Sequence, residues 1–142
     1  MDQTRPSIDR VMLNIAVCLA QRATCYKLAV GCVLTDHDGR ILSAGYNGKP
    51  KGFTHCLTNR CDGDVCLATH AETNALMSCR GMQSIHTCYT THSPCMSCVK
   101  QLIQTNCRRI IYMHETPEIL LAHRHWQHAG RQWFQYKHEL KS

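Results

Sequence analysis

"HTCYTTHSPCMSCVKQLIQTNCRRIIYM", residues 86–113, packs a strand, a helix and a second strand into one short run. The β-branched and aromatic stretch "HTCYTT" (86–91) reads as a strand. Ser93-Pro94 then reads as a helix start, with Ser93 as N-cap and Pro94 at the first helical position, where a missing N–H costs nothing. The helix should reach about Thr105, and "RRIIYM" (108–113) should be the next strand. Downstream, "PEILLAHRHWQHAG" (117–130) has helical spacing and ends on Gly130, and "RQWFQY" (131–136) is a last strand. A helix-length crossover excludes a tight hairpin, so the last two strands should be parallel.

Working upstream, a helix should run from about His70 to Cys79. Residues 47–66 carry glycines, Pro50 and three cysteines with little periodicity, and read as a loop. "LAVGCVLT" (28–35) and "ILSAGY" (41–46) flank Asp38-Gly39, a hairpin-turn dipeptide, and should form two antiparallel strands. Apolar residues from Ile8 to Leu19 fall at helical spacing behind Ser7, a good N-cap. The expectation is a mixed sheet covered by helices, without repeats or linkers, in one domain spanning 1–142.

Composition narrows the class. The 142 residues are 44% hydrophobic and 18% charged, as in an ordinary globular chain. No apolar run approaches the roughly 18 residues of a membrane span, and "MDQTRPSIDR" is too polar for a secretory signal. A cytoplasmic protein is expected, with no membrane partner. Eleven cysteines are an excess; being odd in number and including a close C-x-x-C pair, they favour metal ligation and buried thiols over a disulfide scaffold. The formal charge of +6 favours anionic partners, yet no block of five like charges marks a nucleic-acid tail.

Cys95 and Cys98 stand at i, i+3 in the first turns of a helix, so both sulfurs can face one point. The helix N-terminus and a metal both favour the thiolates that zinc requires. His70, 25 residues earlier at another helix start, would complete a His-Cys-Cys set with one open coordination position, the mark of a catalytic zinc site. Glu72, two residues on, could then collect a proton from water. Each half has a plainer explanation. Thr69-x-x-Glu72 also fits a capping box, and C-x-x-C alone fits a redox pair or a closed structural zinc site. Jointly, "HAE" (70–72) and "PCMSC" (94–98) match the zinc-deaminase pattern H-x-E with P-C-x-x-C.

With those residues the chain resembles the cytidine deaminase superfamily, and specifically its deoxycytidylate (dCMP) deaminase branch. The resemblance covers roughly residues 5 to 136. Branch-like stretches are "RATCYKLAVGCVL" (22–34), "GYNGKPKGFTHC" (45–56) and "RRIIY" (108–112). It implies a three-layer α/β/α fold on a five-stranded sheet of order 2-1-3-4-5, and a homo-oligomer, often a hexamer. It implies hydrolysis of dCMP to dUMP and ammonia, with Zn2+ on His70, Cys95 and Cys98 and with Glu72 as proton shuttle. Asn47 would contact the sugar, and backbone carbonyls from Thr91 to Ser93 the amino group. For the phosphate, Lys27 stands where many members have Arg, a point charge in place of a bidentate one; Arg22 and Lys49 are further candidates. The family is often activated by dCTP and inhibited by dTTP near the "GYNG" loop, with Mg2+ accompanying the nucleotide.

The resemblance also implies a second, structural zinc on Cys25, Cys56, Cys61 and Cys66, with His55 able to replace one sulfur; four buried free thiols are the alternative. Cys18, Cys32, Cys79, Cys88 and Cys107 fall at apolar positions and are assigned to the core. The late histidines 114, 123, 125, 128 and 138 read as a solvated face. Two competing functions stay in view: a deaminase of polynucleotide cytosine or tRNA adenine, and a non-catalytic zinc-stabilised binding module. Nucleic acid is the weaker partner, because only two Phe, five Tyr and two Trp are available for base stacking.

Overall fold

The computed structural model describes residues 5–24, 28–48 and 68–137. They form α1 (Ile8–Ala20), β1 (Gly31–Thr35), β2 (Ile41–Tyr46), α2 (Ala71–Met77), β3 (Thr87–His92), α3 (Met96–Ile103), β4 (Arg109–His114), α4 (Ile119–His128) and β5 (Gln132–Gln135), with a single 3-10 turn at Met82–Ser84. The sheet has order β2-β1-β3-β4-β5. β1 is antiparallel to both β2 and β3, whereas β3, β4 and β5 run parallel. The expected strand order and the parallel final pair are both present, and β3–β4 is a second parallel pair.

Three layers follow from the alternation of side chains along each strand. On one face Val33, Tyr89 and Ile111 pack against Met12, Leu13 and Ala16 of α1. On the other, Cys32, Leu34, Cys88 and Ile110 meet α2, α3 and α4, whose Trp126 is fully buried. Cys32, Cys79, Cys88 and Cys107 are core residues as expected, but Cys18 is exposed. It stands two residues from buried Ala16, about 200° round the helix and hence on its outer face.

Local chemistry sets most boundaries. Ser7 caps α1 by accepting from Arg10 N at 3.2 Å. The 36–40 turn closes through Asp36, whose Oδ1 accepts from the N–H groups of Asp38 and Arg40, with Gly39 at φ 84°. Two boundaries differ from expectation. The first strand begins at Gly31 and not at Leu28, because the Asn47 side chain takes the Val30 N–H (2.8 Å) and donates to Leu28 O (2.7 Å), replacing sheet partners. α3 begins at Met96 with Cys95 as N-cap, and not with Ser93 as cap and Pro94 inside the helix. The Ser93 hydroxyl is engaged by Thr116 instead, at 2.8 Å.

Two glycines bring helices onto the sheet at backbone distance. A Cβ on Gly31 would collide with Ala16 O of α1, and one on Gly45 would lie 2.7 Å from both Ala71 O and Ala75 N of α2. Ser43 Oγ donates to Ala75 O (2.6 Å) and Asn74 Nδ2 to Tyr46 O (2.8 Å), fixing α2 on β2. Gly45→Ala must therefore displace α2 and should cost about 1–3 kcal/mol, as overpacking does. Gly81→Ala, whose nearest neighbour would be 3.8 Å away, is the control. Urea unfolding midpoints of the two variants check this, and equal midpoints would refute the close docking of α2.

Candidate active site

His70, Glu72, Cys95 and Ser93 line one cavity of about 290 Å3 at the ends of α2 and α3. Its size is at the lower edge of the usual range for small-molecule sites. His70 Nδ1 lies 3.3 Å from Cys98 Sγ and 3.4 Å from Cys95 Sγ. All three donor atoms fall within 4.8 Å of one another, the one such metal-competent group of three or more among the described residues. One imidazole nitrogen and two sulfurs converging at that span fit a tetrahedral zinc ion with a position left open to the cavity.

Two short helices create this convergence. His70 is the N-cap residue of α2, and Cys95 that of α3, so both side chains project from the positive ends of their helices. Thr73 Oγ1 donates to Gln101 Oε1 at 2.8 Å, tying α2 to α3 one turn behind the sulfurs. The Cys98 thiol donates to Cys95, and with His70 nearby this holds the Cys95 thiol well below its ordinary range; the same bond and burial raise Cys98. One proton is thus kept between the two sulfurs. Cation binding requires its loss, so affinity for a metal should weaken in acid.

Glu72 does not act as a helix cap. The N-cap position belongs to His70, and the Thr69 N–H donates to Gly48 O at 2.6 Å, so no capping box forms. Glu72 is only 4% exposed and lines the cavity. Burial pushes its carboxyl up to about 7. A carboxyl poised there can both take and return a proton near neutrality.

The other expected site residues are placed unevenly. Asn47 is in the cavity wall, its amide accepting from Val30 N and donating to Leu28 O. The Ser93 carbonyl accepts from Thr116 Oγ1 at 3.1 Å, and the His92 carbonyl from Thr90 Oγ1 at 2.9 Å. The Thr91 hydroxyl accepts from Gly31 N at 3.2 Å. Arg22 is exposed just past α1 and is not in the cavity wall. Lys27, Lys49, Cys25, Cys56, Cys61, Cys66 and His55 lie outside the described residues.

Sequence reasoning missed one wall altogether. Thr116, Pro117 and Glu118, between β4 and α4, line the cavity. Thr116 is bound to Ser93 three times over, through its N–H (2.9 Å), its hydroxyl to the carbonyl (3.1 Å) and hydroxyl to hydroxyl (2.8 Å). No local pattern announces this contact across 23 residues. His92 was also passed over as a side chain. Burial, with the His114 ring beside it, holds His92 below the ordinary 6.5. Its contribution to stability is therefore present above pH 6.5 and is lost as pH falls through the lowered value. The melting temperature should fall on acidification from pH 6.5 to 5, less steeply in His92→Gln; equal slopes would contradict this.

The geometry has counterparts. Residues 6–114 match the family model for the cytidine and deoxycytidylate deaminase zinc-binding region. The chain belongs to this family. It is similar to the deoxycytidylate deaminase of Mycobacterium phage D29, 35% identical over 128 residues that make up 80% of this chain and 99% of the phage protein. The deoxycytidylate deaminase of Saccharomyces cerevisiae is 35% identical over 120 residues, 76% of this chain but only 38% of the yeast protein. The chain thus spans well under half of that longer family member. Among solved structures, the cyanophage S-TIM5 dCMP deaminase in complex with dCMP and dUMP superposes with a TM-score of 0.78 at 27% identity, covering 94% of this chain and 100% of the phage chain. The mixed sheet and its helices are those of the cytidine-deaminase-like fold.

Proposed function

We propose that the protein is a zinc-dependent deaminase that hydrolyses dCMP to dUMP and ammonia. One observation carries the reading: a buried, near-neutral carboxyl, Glu72, shares a cavity with the convergent donors of His70, Cys95 and Cys98. A closed structural metal site has no use for such a carboxyl beside it. The S-TIM5 and D29 relatives supply the substrate class.

Zinc on His70, Cys95 and Cys98 would supply Lewis acidity toward water and the C4 position of the pyrimidine. Glu72 takes one proton from the attacking water and passes it to N3, then takes the second from the C4 hydroxyl and passes it to the departing amine as C4=O forms. The C4–O bond forms, the C4–N bond breaks, and ammonia leaves. The Ser93 carbonyl, held by Thr116, would offer its second lone pair to the amino group, and Asn47 in the cavity wall would contact the sugar. The cavity wall holds no Phe, Tyr or Trp among the described residues, which favours a mononucleotide over a strand gripped by base stacking.

The same reading includes a cytoplasmic homo-oligomer, expected as a hexamer, controlled by dCTP and dTTP with Mg2+, and a structural zinc on Cys25, Cys56, Cys61 and Cys66. Leu120 and Leu121, 79% and 49% exposed on α4, are apolar surface that an oligomer would cover. Gly48 and Thr69 exchange backbone hydrogen bonds, so a nucleotide at the "GYNG" loop would act one residue from His70. Among the described residues no helix is long and apolar enough to cross a membrane.

Purified protein incubated with dCMP, deoxycytidine, dCTP and single-stranded DNA tests the assignment through ammonia release. Turnover should be fastest with dCMP. Deamination of DNA without turnover of dCMP would replace the substrate, and inactivity on all four with zinc fully loaded would favour a binding module.

A further inference from the structure

Two neighbouring histidines, one of them in the cavity wall, are left unused by the chemistry at Glu72. His92 ends β3, His114 ends β4, and they are register partners across this parallel pair. Their rings lie 5.1 Å apart, tilted by 43°. His92 lines the cavity, and His114 is exposed beside it. The carboxyl ends of neighbouring parallel strands are where open α/β sheets receive ligands, because the crossover helices leave a crevice there.

Thr91 determines which nitrogen of His92 is left for a ligand. Its hydroxyl oxygen already accepts from Gly31 N and lies 2.9 Å from His92 Nδ1. With Nδ1 engaged by that hydroxyl, Nε2 is the ring nitrogen left for a ligand; it carries a proton in the tautomer whose Nδ1 accepts from Thr91, and in the imidazolium. In either form that edge donates to an anionic oxygen.

The local charges point the same way. Of the charged groups around His92, His114 is the one that acts on it. Glu118 shares the cavity wall with His92 and acts on His70, and Glu115 acts on Tyr112. Two imidazoles thus adjoin each other, one of them in the cavity wall, and among the described residues neither ring is hydrogen-bonded or ion-paired to a carboxylate. Bringing two imidazoles together this closely is unfavourable once both are protonated, and an anion between them reverses the sign.

We propose that His92 and His114 form a phosphate-binding subsite, taking the 5′-phosphate of the nucleotide whose base lies over Glu72. The inference rests on the deamination reading for its substrate but on the histidine pair for its chemistry. It adds donors that sequence reasoning sought in Lys27, Arg22 and Lys49. Imidazole N–H groups at a strand end are held by the sheet, so they bind a phosphate with little loss of side-chain freedom.

Two measurements test it. In steady-state assays, His114→Ala and the double variant with His92→Gln should raise KM for dCMP about tenfold to a hundredfold, the cost of one or two charge-assisted hydrogen bonds. The kcat should change far less, and the loss with dCMP should exceed the loss with deoxycytidine about tenfold or more. Equal losses with both substrates would mean that the pair only shapes the wall, and would overturn the proposal. The second measurement needs no turnover. Inorganic phosphate titrated into the zinc-loaded protein should shift the ring resonances of both histidines, identified by their absence in His92→Gln and His114→Ala. Unmoved resonances at saturating dCMP or phosphate would also overturn it. If phosphate shifts both rings in a protein that deaminates no cytosine substrate, the subsite stands and the assignment of the reaction falls.

Discussion

Glu72→Gln should lower kcat for dCMP by about 10²–10⁴-fold while zinc content stays at the wild-type level. The factor is the usual contribution of a positioned general acid–base group. The substitution keeps the side chain's size in a site that is 4% exposed, and it replaces an acid that burial has raised to about 7 with an amide that cannot exchange protons. Removing an ionisable group from such a site does not weaken packing, so the melting temperature should be equal or higher. Ammonia release, metal analysis and thermal unfolding on one preparation separate the possibilities. A variant with wild-type turnover would remove Glu72 from the chemistry and leave a zinc-stabilised binding module as the better description.

Removing the metal should be as severe for activity and should also reach the fold. Chelation, or Cys98→Ser, is expected to abolish turnover and to lower the melting temperature by roughly 5–10 °C. The shift follows from losing a ligand present at about a hundred times its dissociation constant, about 2.7 kcal/mol, in a chain of this size. The physical origin lies in the site itself. Cys98 is fully buried, His70 Nδ1 lies 3.3 Å from its sulfur and 3.4 Å from that of Cys95, and the proton between the sulfurs is a weak substitute for a divalent cation. Differential scanning fluorimetry with and without chelator, followed by re-addition of zinc, checks both parts. A melting temperature indifferent to zinc would place the metal somewhere other than this triad.

Most secondary structure could be read locally because its causes are local. Ser7, the Asp38-Gly39 turn, the whole of β2 and the stop at Gly130 are each set by a residue's own hydrogen-bonding or φ preference within a few positions. The misreadings share the opposite origin. Ser93 looks like a cap until Thr116 takes its hydroxyl, and Leu28–Val30 look like strand until Asn47 takes their backbone groups. Spacing alone puts Cys18 in the core, although the buried stripe of α1 runs through Met12, Leu13 and Ala16.

The active-site chemistry divides along the same line. Which residue types could meet a metal is written in the chain alone, since His70, Glu72, Cys95 and Cys98 sit in two short motifs whose spacing carries the chemistry. That spacing could not decide whether Glu72 caps a helix or faces a cavity. Only the tertiary structure assigned the N-cap to His70, gave the Thr69 N–H to Gly48, and turned Glu72 inward. The wall at Thr116–Glu118 and the pairing of His92 with His114 were likewise invisible, because they arise from sheet register and a loop contact more than twenty residues apart. Motif spacing records what a helix start can present; what it presents to depends on which strands lie side by side.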